Sequence, residues 1–295
     1  MPTSSPLENL LARAESVLTR FEALLPAPQQ EPDWSLVFAC RWRRLKGPAG
    51  RGQLLPVRQV HPIRLADLTG IDDQKQRITA NTRQFVAGKP ANNVLLTGSR
   101  GSGKSSLVKA LLNEFFPQGL RLIEVDKDEL TDLPEIVDRI AGRPEKFILF
   151  CDDLSFEAGE HAYKALKSVL DGSIAAPPEN VLIYATSNRR HLMPEFFSEN
   201  LETTREDGEI HPGEAIEEKI SLSERFGLWI SFYPFDQDGY LEIVAHWMQS
   251  FGFSRQEIAA ARGEALNWAL ARGSRSGRVA WQFARDYAGR AAEKK

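Results

Sequence analysis

Gly98-Ser99-Arg100-Gly101-Ser102-Gly103-Lys104-Ser105, followed by Ser106, decides the reading of this chain. It fits the pattern G-x-x-x-x-G-K-[ST] in the surroundings that pattern requires. The apolar run Asn93-Val94-Leu95-Leu96-Thr97 before it reads as a strand, and residues 106–112 after it read as a helix. The glycines allow a tight turn whose backbone N–H groups close around phosphate oxygens. The helix N-terminus adds unpaired N–H groups and the positive end of its dipole. In this pattern Lys104 reaches the β- and γ-phosphates and the Ser105 hydroxyl ligates Mg²⁺. The plain alternative, a glycine-rich turn before a helix, leaves the strand–loop–helix context unexplained. The expected ligand is a nucleoside triphosphate, with ATP and Mg²⁺ as cofactors.

Working outward, Phe147-Ile148-Leu149-Phe150-Cys151 is a continuous apolar strand that ends in Asp152 and Asp153. Strand ends on this side of a parallel sheet open onto the ligand crevice. There Asp152 is expected to hold Mg²⁺ through water, and Asp153 to orient and deprotonate the attacking water. The next buried strand, residues 181–185, closes in Thr186-Ser187-Asn188, where the Asn188 amide can hydrogen-bond a γ-phosphate or the water. Alone, that tripeptide is ordinary turn chemistry. Its weight comes from the order of phosphate loop, acidic strand end and amide strand end. Arg225, just before a last strand at 228–232, is a candidate arginine finger for a neighbouring subunit. Arg278, opening a late helix, is a candidate to reach back to the γ-phosphate. Each arginine by itself is more often a surface or salt-bridge residue.

The coarse organisation follows. Residues 1–60 form an N-terminal segment. Within it, residues 5–25 read as one amphipathic helix, with Ser5 as N-cap, Pro6 at the first helical position and Glu8 closing a capping box. That helix is expected to dock on the body of the protein or on a neighbouring subunit. Trp34 to Lys46 mixes aromatics with Arg41, Arg43 and Arg44; it reads either as a docked strand with a solvated basic edge or as a nucleic-acid contact. Residues 61–233 alternate strands and helices, which implies a three-layer αβα nucleotide-binding core around a parallel sheet. Residues 192–219 form an acidic insertion without clear periodicity. Residues 234–295 read as helices only, a small helical lid in which Trp247, Trp268 and Trp281 are expected to pack.

Taken together, the ordered set resembles an AAA+ ATPase. The resemblance implies Asn188 as sensor 1, Arg225 as finger and Arg278 as sensor 2, with Arg275 competing for the last role. Leu65-Ala66-Asp67-Leu68-Thr69-Gly70-Ile71-Asp72 resembles the segment upstream of the AAA+ core that packs near the adenine, which places Ile71 at the nucleotide. The Asp-Asp ending resembles bacterial replication initiators and helicase loaders. More closely, Asn92-Asn93-Val94-Leu95-Leu96, residues 151–156, residues 184–192 and Phe232-Tyr233-Pro234-Phe235 resemble a bacterial AAA+ family catalogued as a domain of unknown function. From residue 36 to the end, the resemblance implies ATP hydrolysis at subunit interfaces of a homo-oligomer, often a hexamer. It also implies action on a macromolecular partner, protein or DNA. Asp153 is one methylene shorter than the usual glutamate, so slow turnover and a nucleotide-controlled switch form the alternative.

Composition bounds the rest. A hydrophobic share of 42% and a charged share of 26% describe a globular protein, and a net charge of −3 does not advertise nucleic acid. The two cysteines lie far apart, against a disulfide or zinc framework. No apolar run reaches the roughly 20 residues of a membrane span, and Glu8, Arg13 and Glu15 interrupt any signal-peptide core. No membrane partner is expected, and the cytoplasm is the expected location. A small-molecule P-loop kinase shares the phosphate loop but not the sensor and finger positions. A transporter-type ATPase is excluded by the absence of a Leu-Ser-Gly-Gly-Gln signature.

Overall fold

A computed structural model describes residues 6–22, 31–44, 50, 52–155, 161–172, 178–188, 204–206, 209–211 and 224–292. Its centre is a seven-stranded sheet. Five strands are those the sequence places in the core: β3 (Val94–Gly98), β4 (Leu120–Glu124), β5 (Lys146–Cys151), β6 (Val181–Ser187) and β9 (Leu228–Phe232). Two further strands, β1 (Ala39–Arg44) and β2 (Gly52–Pro56), extend it, giving the order β2-β1-β4-β5-β6-β3-β9. Every neighbouring pair is parallel except the β1–β2 hairpin. The sheet is therefore mixed at one edge. The stretch assigned from sequence to the N-terminal segment carries two of its strands. A separate pair, β7 (Thr204–Glu206) and β8 (Glu209–His211), lies within the acidic insertion, most of which falls outside the described residues.

The period-two alternation of β-strands divides the core in two. Leu95, Phe147, Leu149 and Ile183 join one buried cluster with Trp34 and Trp42. Val94, Leu96, Ile148, Phe150 and Tyr184 join the other, under α2 (Asp72–Val86) and α3 (Lys104–Phe115). Helices α4 (Leu133–Ile140) and α5 (His161–Asp171) belong with the first cluster. With both faces covered, the central strands carry unbroken apolar runs. Cys40 and Cys151 are free and fully buried, and burial pushes both thiols up to about 12, so neither is a thiolate near neutral pH.

The basic stretch before the core is consumed by the protein's own carboxylates. Arg41 Nε donates to Glu124 Oε2 at 2.6 Å. Arg43 pairs with Asp126 and Glu129, and Arg44 Nη2 donates to buried Asp132 Oδ1 at 2.5 Å. Trp42 is fully buried with its indole N–H on Asp132 Oδ2 at 2.9 Å, and Trp34 packs edge-on against Phe147. Of the two readings of this stretch, the docked strand is the one the structure adopts.

After β9 the chain forms α6 (Gln237–Ser250), α7 (Arg255–Ala271) and α8 (Gly277–Ala292), with an apolar cluster of their own around Tyr240, Val244, Ala265 and Phe283. Asp236 caps α6 by accepting from Gly239 N. Ser254 and Glu257 form the capping box of α7. At the other end, α1 (Pro6–Glu22) leaves Leu7, Leu10, Leu11, Val17 and Leu18 of its apolar face exposed; its expected cap Ser5 and its expected last residues 23–25 lie outside the described residues.

Candidate functional site

The phosphate loop leaves β3 through Gly98, whose φ of +126° suits glycine. A Cβ there would lie 1.9 Å from the Phe232 carbonyl oxygen of β9, so no side chain fits. At Gly103 the chain turns into α3 without a side-chain cap, which leaves first-turn N–H groups facing the loop. Lys104 opens that helix and is nearly buried. Its ammonium donates to Gly98 O at 2.7 Å, Ser99 O at 2.8 Å and Asn188 Oδ1 at 3.0 Å. Ser102 Oγ closes the loop on Ser99 O at 2.8 Å. Burial holds the Lys104 pKa below that of an ordinary lysine; the Asp153 and Asp152 carboxylates oppose this and Arg100 adds to it.

Two parallel strand ends converge on the loop. Ser105 Oγ donates to Asp152 Oδ1 at 2.6 Å, and Thr186 Oγ1 donates to the same oxygen at 2.6 Å. Thr186 Oγ1 also accepts from the backbone N–H of Asp153 at 2.9 Å. Asn188 Nδ2 donates to Asp153 Oδ1. Asp153 has a φ of +53°, the one non-glycine positive φ among the described residues. Its left-handed backbone is thus fixed at both ends, by the N–H bond to Thr186 and the carboxylate bond to Asn188. Lys104, Ser105, Asp152, Asp153, Thr186 and Asn188 form one connected polar chain.

That chain forms the floor of a cleft of about 670 Å³. Arg100, Gly101, Gly103 and Ser106 line it from the loop and α3, while Leu68, Thr69 and Ile71 line it from the segment before α2. Phe235, Ile243, Trp247, Arg278 and Trp281 close it from the C-terminal helices. The two sides are tied by the Gly277 N–H donating to Gly101 O at 2.9 Å. The size suits one nucleotide. Thr69 Oγ1 is buried here without a hydrogen-bond partner, an unsatisfied group that a ligand would meet. Ser105 and Asp152 offer the hard oxygens Mg²⁺ takes. Among the described residues no cluster of three His, Cys, Asp or Glu could hold a metal by itself, so a cation here would share waters and phosphate oxygens.

Residues 35–291 match the family described as "Protein of unknown function (DUF815)". The chain belongs to that family. Among curated proteins, the replication factor C large subunit of Thermofilum pendens is 34% identical over 92 residues, covering 30% of this chain and 22% of that protein. The chain thus spans about a fifth of that relative's length. Among solved structures, the FIGL-1 AAA domain in complex with ADP aligns with a TM-score of 0.51 at 16% identity, over 78% of this chain and 74% of that one. The Thermotoga maritima RuvB Holliday junction branch migration motor aligns with a TM-score of 0.48 at 15% identity, over 77% of this chain and 64% of that one. The fold of this DUF815 protein is the AAA+ P-loop fold.

Most residues singled out from the sequence meet in the cleft: loop residues 100–106, Ile71, Asp152, Asp153, Asn188 and Arg278. Gly98 and Ser99 do not line the cleft themselves; their carbonyls accept from Lys104. Arg275 does not line the cleft; it borders a second groove with Ser99, Leu266 and Leu270. Arg225 also lies outside, paired through Nε with Asp171 Oδ1 at the end of α5. Arg189 and Arg190 fall outside the described residues. Of the tryptophans read as packing residues, Trp268 and Trp247 do pack against the C-terminal apolar cluster, but Trp247 also lines the cleft, and so does Trp281. Thr186, to which the sequence reading gave no role, is the junction of the polar chain. Its signal was its place near the end of β6, two residues before Asn188, which follows the strand. Among the described residues, no helix is long and apolar enough to cross a membrane.

Proposed function

We propose that this DUF815 protein binds ATP with Mg²⁺ in the 670 Å³ cleft and hydrolyses it to act on a macromolecular partner. One observation carries the reading. The phosphate loop, two carboxylates and an amide from three different strands are joined by hydrogen bonds on the floor of a cleft roofed by the C-terminal helices. Bound there, Mg²⁺–ATP supplies the phosphoanhydride and the cation that offsets its charge. The protein's own groups do the rest. Lys104 and the first-turn N–H groups of α3 neutralise phosphate oxygens. Ser105 and Asp152 hold the cation, directly or through water. Asp153, steered by Thr186 and Asn188, accepts the proton of the attacking water. Leu68, Thr69, Ile71 and Trp247 receive the base, and Arg278 reports the phosphates to the lid.

Arg225 lies outside its own cleft, which supports its use on a neighbouring subunit's nucleotide in an oligomer, with six as the family-like number. The likeness over 92 residues to a subunit of replication factor C supports a partner-directed role over phosphorylation of a small molecule. The short Asp153 side chain, already engaged by Asn188, favours a second reading as a nucleotide-set switch with slow turnover.

The test is ATP turnover against protein concentration, with light scattering on the same samples, with and without DNA. Turnover per subunit that rises with assembly, and falls about 10³-fold or more in Arg225→Ala, is the expected result. A Lys104→Ala variant that still binds ATP like the parent overturns the nucleotide reading. Tight binding with flat, slow turnover selects the switch.

A further inference from the structure

Helix α1 carries a pattern the nucleotide chemistry does not use. Leu7, Leu10, Leu11, Ala14, Val17 and Leu18 occupy one face, and the row continues in sequence to Phe21. The row repeats every seven residues: Leu7, Ala14, Phe21; Leu10, Val17; Leu11, Leu18. At about 100° per residue it covers an arc of about 120°. A strict seven-residue repeat keeps one seam turned toward a partner helix, and a stripe three positions wide suits a helix packed against more than one neighbour. Among the described residues of this face, Leu7 is 64% exposed, Leu10 65% and Leu18 61%. A 17-residue helix is marginal in water without burial of such a face.

The charges choose the partner. One edge of the stripe carries Arg13 and Arg20; the opposite edge carries Glu8, Glu15 and Glu22 by helical register. Along the axis Arg13 falls between Glu8 and Glu15, and Arg20 between Glu15 and Glu22. When two such helices pack parallel, the arginine edge of one meets the glutamate edge of the other. When they pack antiparallel, arginine meets arginine and glutamate meets glutamate. The edges are therefore complementary to a second copy in parallel, and each copy leaves one edge of each sign for the next. An anionic lipid surface fits less well, because the helix holds three glutamates against two arginines and no lysine.

We infer that α1 is a self-association element that bundles in parallel with α1 of other copies of this chain. Each arginine edge faces a neighbour's glutamate edge, in an interface separate from the nucleotide cleft. The inference goes beyond the nucleotide reading and is tested without nucleotide.

Sedimentation of the full chain is compared for the parent, for Arg13→Glu/Arg20→Glu, and for Glu15→Arg/Glu22→Arg. Each variant alone is expected to self-associate about tenfold or more weakly than the parent. An equimolar mixture is expected to recover parental association, since acidic edges then face basic ones. Because both native cysteines are buried, a Leu7→Cys variant reports orientation: oxidation links Cys to Cys between copies in a parallel bundle, whereas an antiparallel one sets residue 7 beside residue 21. Variants that sediment like the parent, a mixture that restores nothing, or association without the crosslink each overturn the inference. So does parent protein that stays monomeric but pelleting with vesicles of phosphatidylcholine and phosphatidylserine, with pelleting lost in Leu10→Asp/Leu18→Asp. ATP-dependent assembly that fails in Arg225→Ala bears on the nucleotide reading alone, so the two fail separately.

Discussion

Replacing Thr186 by Val is the sharpest test of how the two strand ends are wired. Val keeps nearly the same shape at a position that is 1% exposed, so packing changes little. The hydroxyl is lost. With it go a donor to the Asp152 carboxylate at 2.6 Å and the acceptor for the Asp153 N–H at 2.9 Å. The first is a hydrogen bond to a charged group, worth about 1.5–3 kcal/mol where buried. The second holds a left-handed aspartate backbone whose strain is about 1–3 kcal/mol. Asp152 and Asp153 are partly reached by water, which replaces some of what is lost, so a net destabilisation of about 2 kcal/mol is expected by urea unfolding. Released, Asp153 relaxes out of the left-handed region and its carboxylate moves. A displacement of about 1 Å at a reacting group costs up to about 10²-fold in rate, so single-turnover hydrolysis should fall about 10- to 100-fold. ATP affinity should change less than about threefold, because Lys104 and the loop N–H groups do not depend on Thr186. Thr186→Ser is the control: it keeps the hydroxyl and should retain most of the rate. Val turnover within twofold of the parent, or equal losses in Val and Ser, would refute the wiring.

Gly101→Ala places a Cβ 2.8 Å from Ser276 at a φ of +73°, beside the bond from Gly277 to Gly101. It should cost about 1–2 kcal/mol and loosen the C-terminal helices, seen as weaker ATP binding; unaltered affinity and stability would show that this contact does not matter. Asp132→Ala strips the buried Trp42 indole and Arg44 of their shared acceptor. Arg44 is half exposed, so its share is discounted, and a loss of about 3 kcal/mol, with faster amide exchange in β1 and β2, is expected. A loss below about 1 kcal/mol counts against that network. Hydrogen bonding to Arg64 holds the Asp67 carboxyl below its ordinary 3.8, against the opposing effect of burial. A folded-state pKa below the unfolded one gives stability that is complete above that value and lost as pH falls through the folded pKa. Asp67→Asn should therefore be less stable than the parent near neutral pH, with the gap narrowing below about pH 4; a gap that is constant across the acid range would exclude this linkage.

What the sequence made legible, and what it hid, divide by the range of the interaction. The loop from Gly98 to Ser105, the apolar run ending in Asp152-Asp153 and the strand before Asn188 are local patterns, and parallel strands bring their carboxyl ends to one side of the sheet. That β3 lies between β6 and β9 is a non-local fact those patterns do not carry. The arginines of β1 stayed ambiguous because their partners Glu124, Asp126, Glu129 and Asp132 lie more than 80 residues away. Charge at one place in a sequence does not say whether it faces solvent, nucleic acid or its own chain. Thr186 was hidden because its hydroxyl serves two residues 33 and 34 positions earlier, where β5 ends. The tryptophans show the limit most clearly. On α6, Ile243 and Val244 point inward, and Trp247, three to four residues on, continues the same stripe. Helical periodicity reports that a face is turned from water; it cannot report whether another helix or a cleft lies opposite. Trp247 packs against the C-terminal apolar cluster and also borders the cleft, whose opposite side is the phosphate loop to which Gly277 of α8 is bonded. A tryptophan on an apolar stripe beside a helix anchored to a phosphate loop thus belongs among candidate ligand contacts, even where its spacing reads as core.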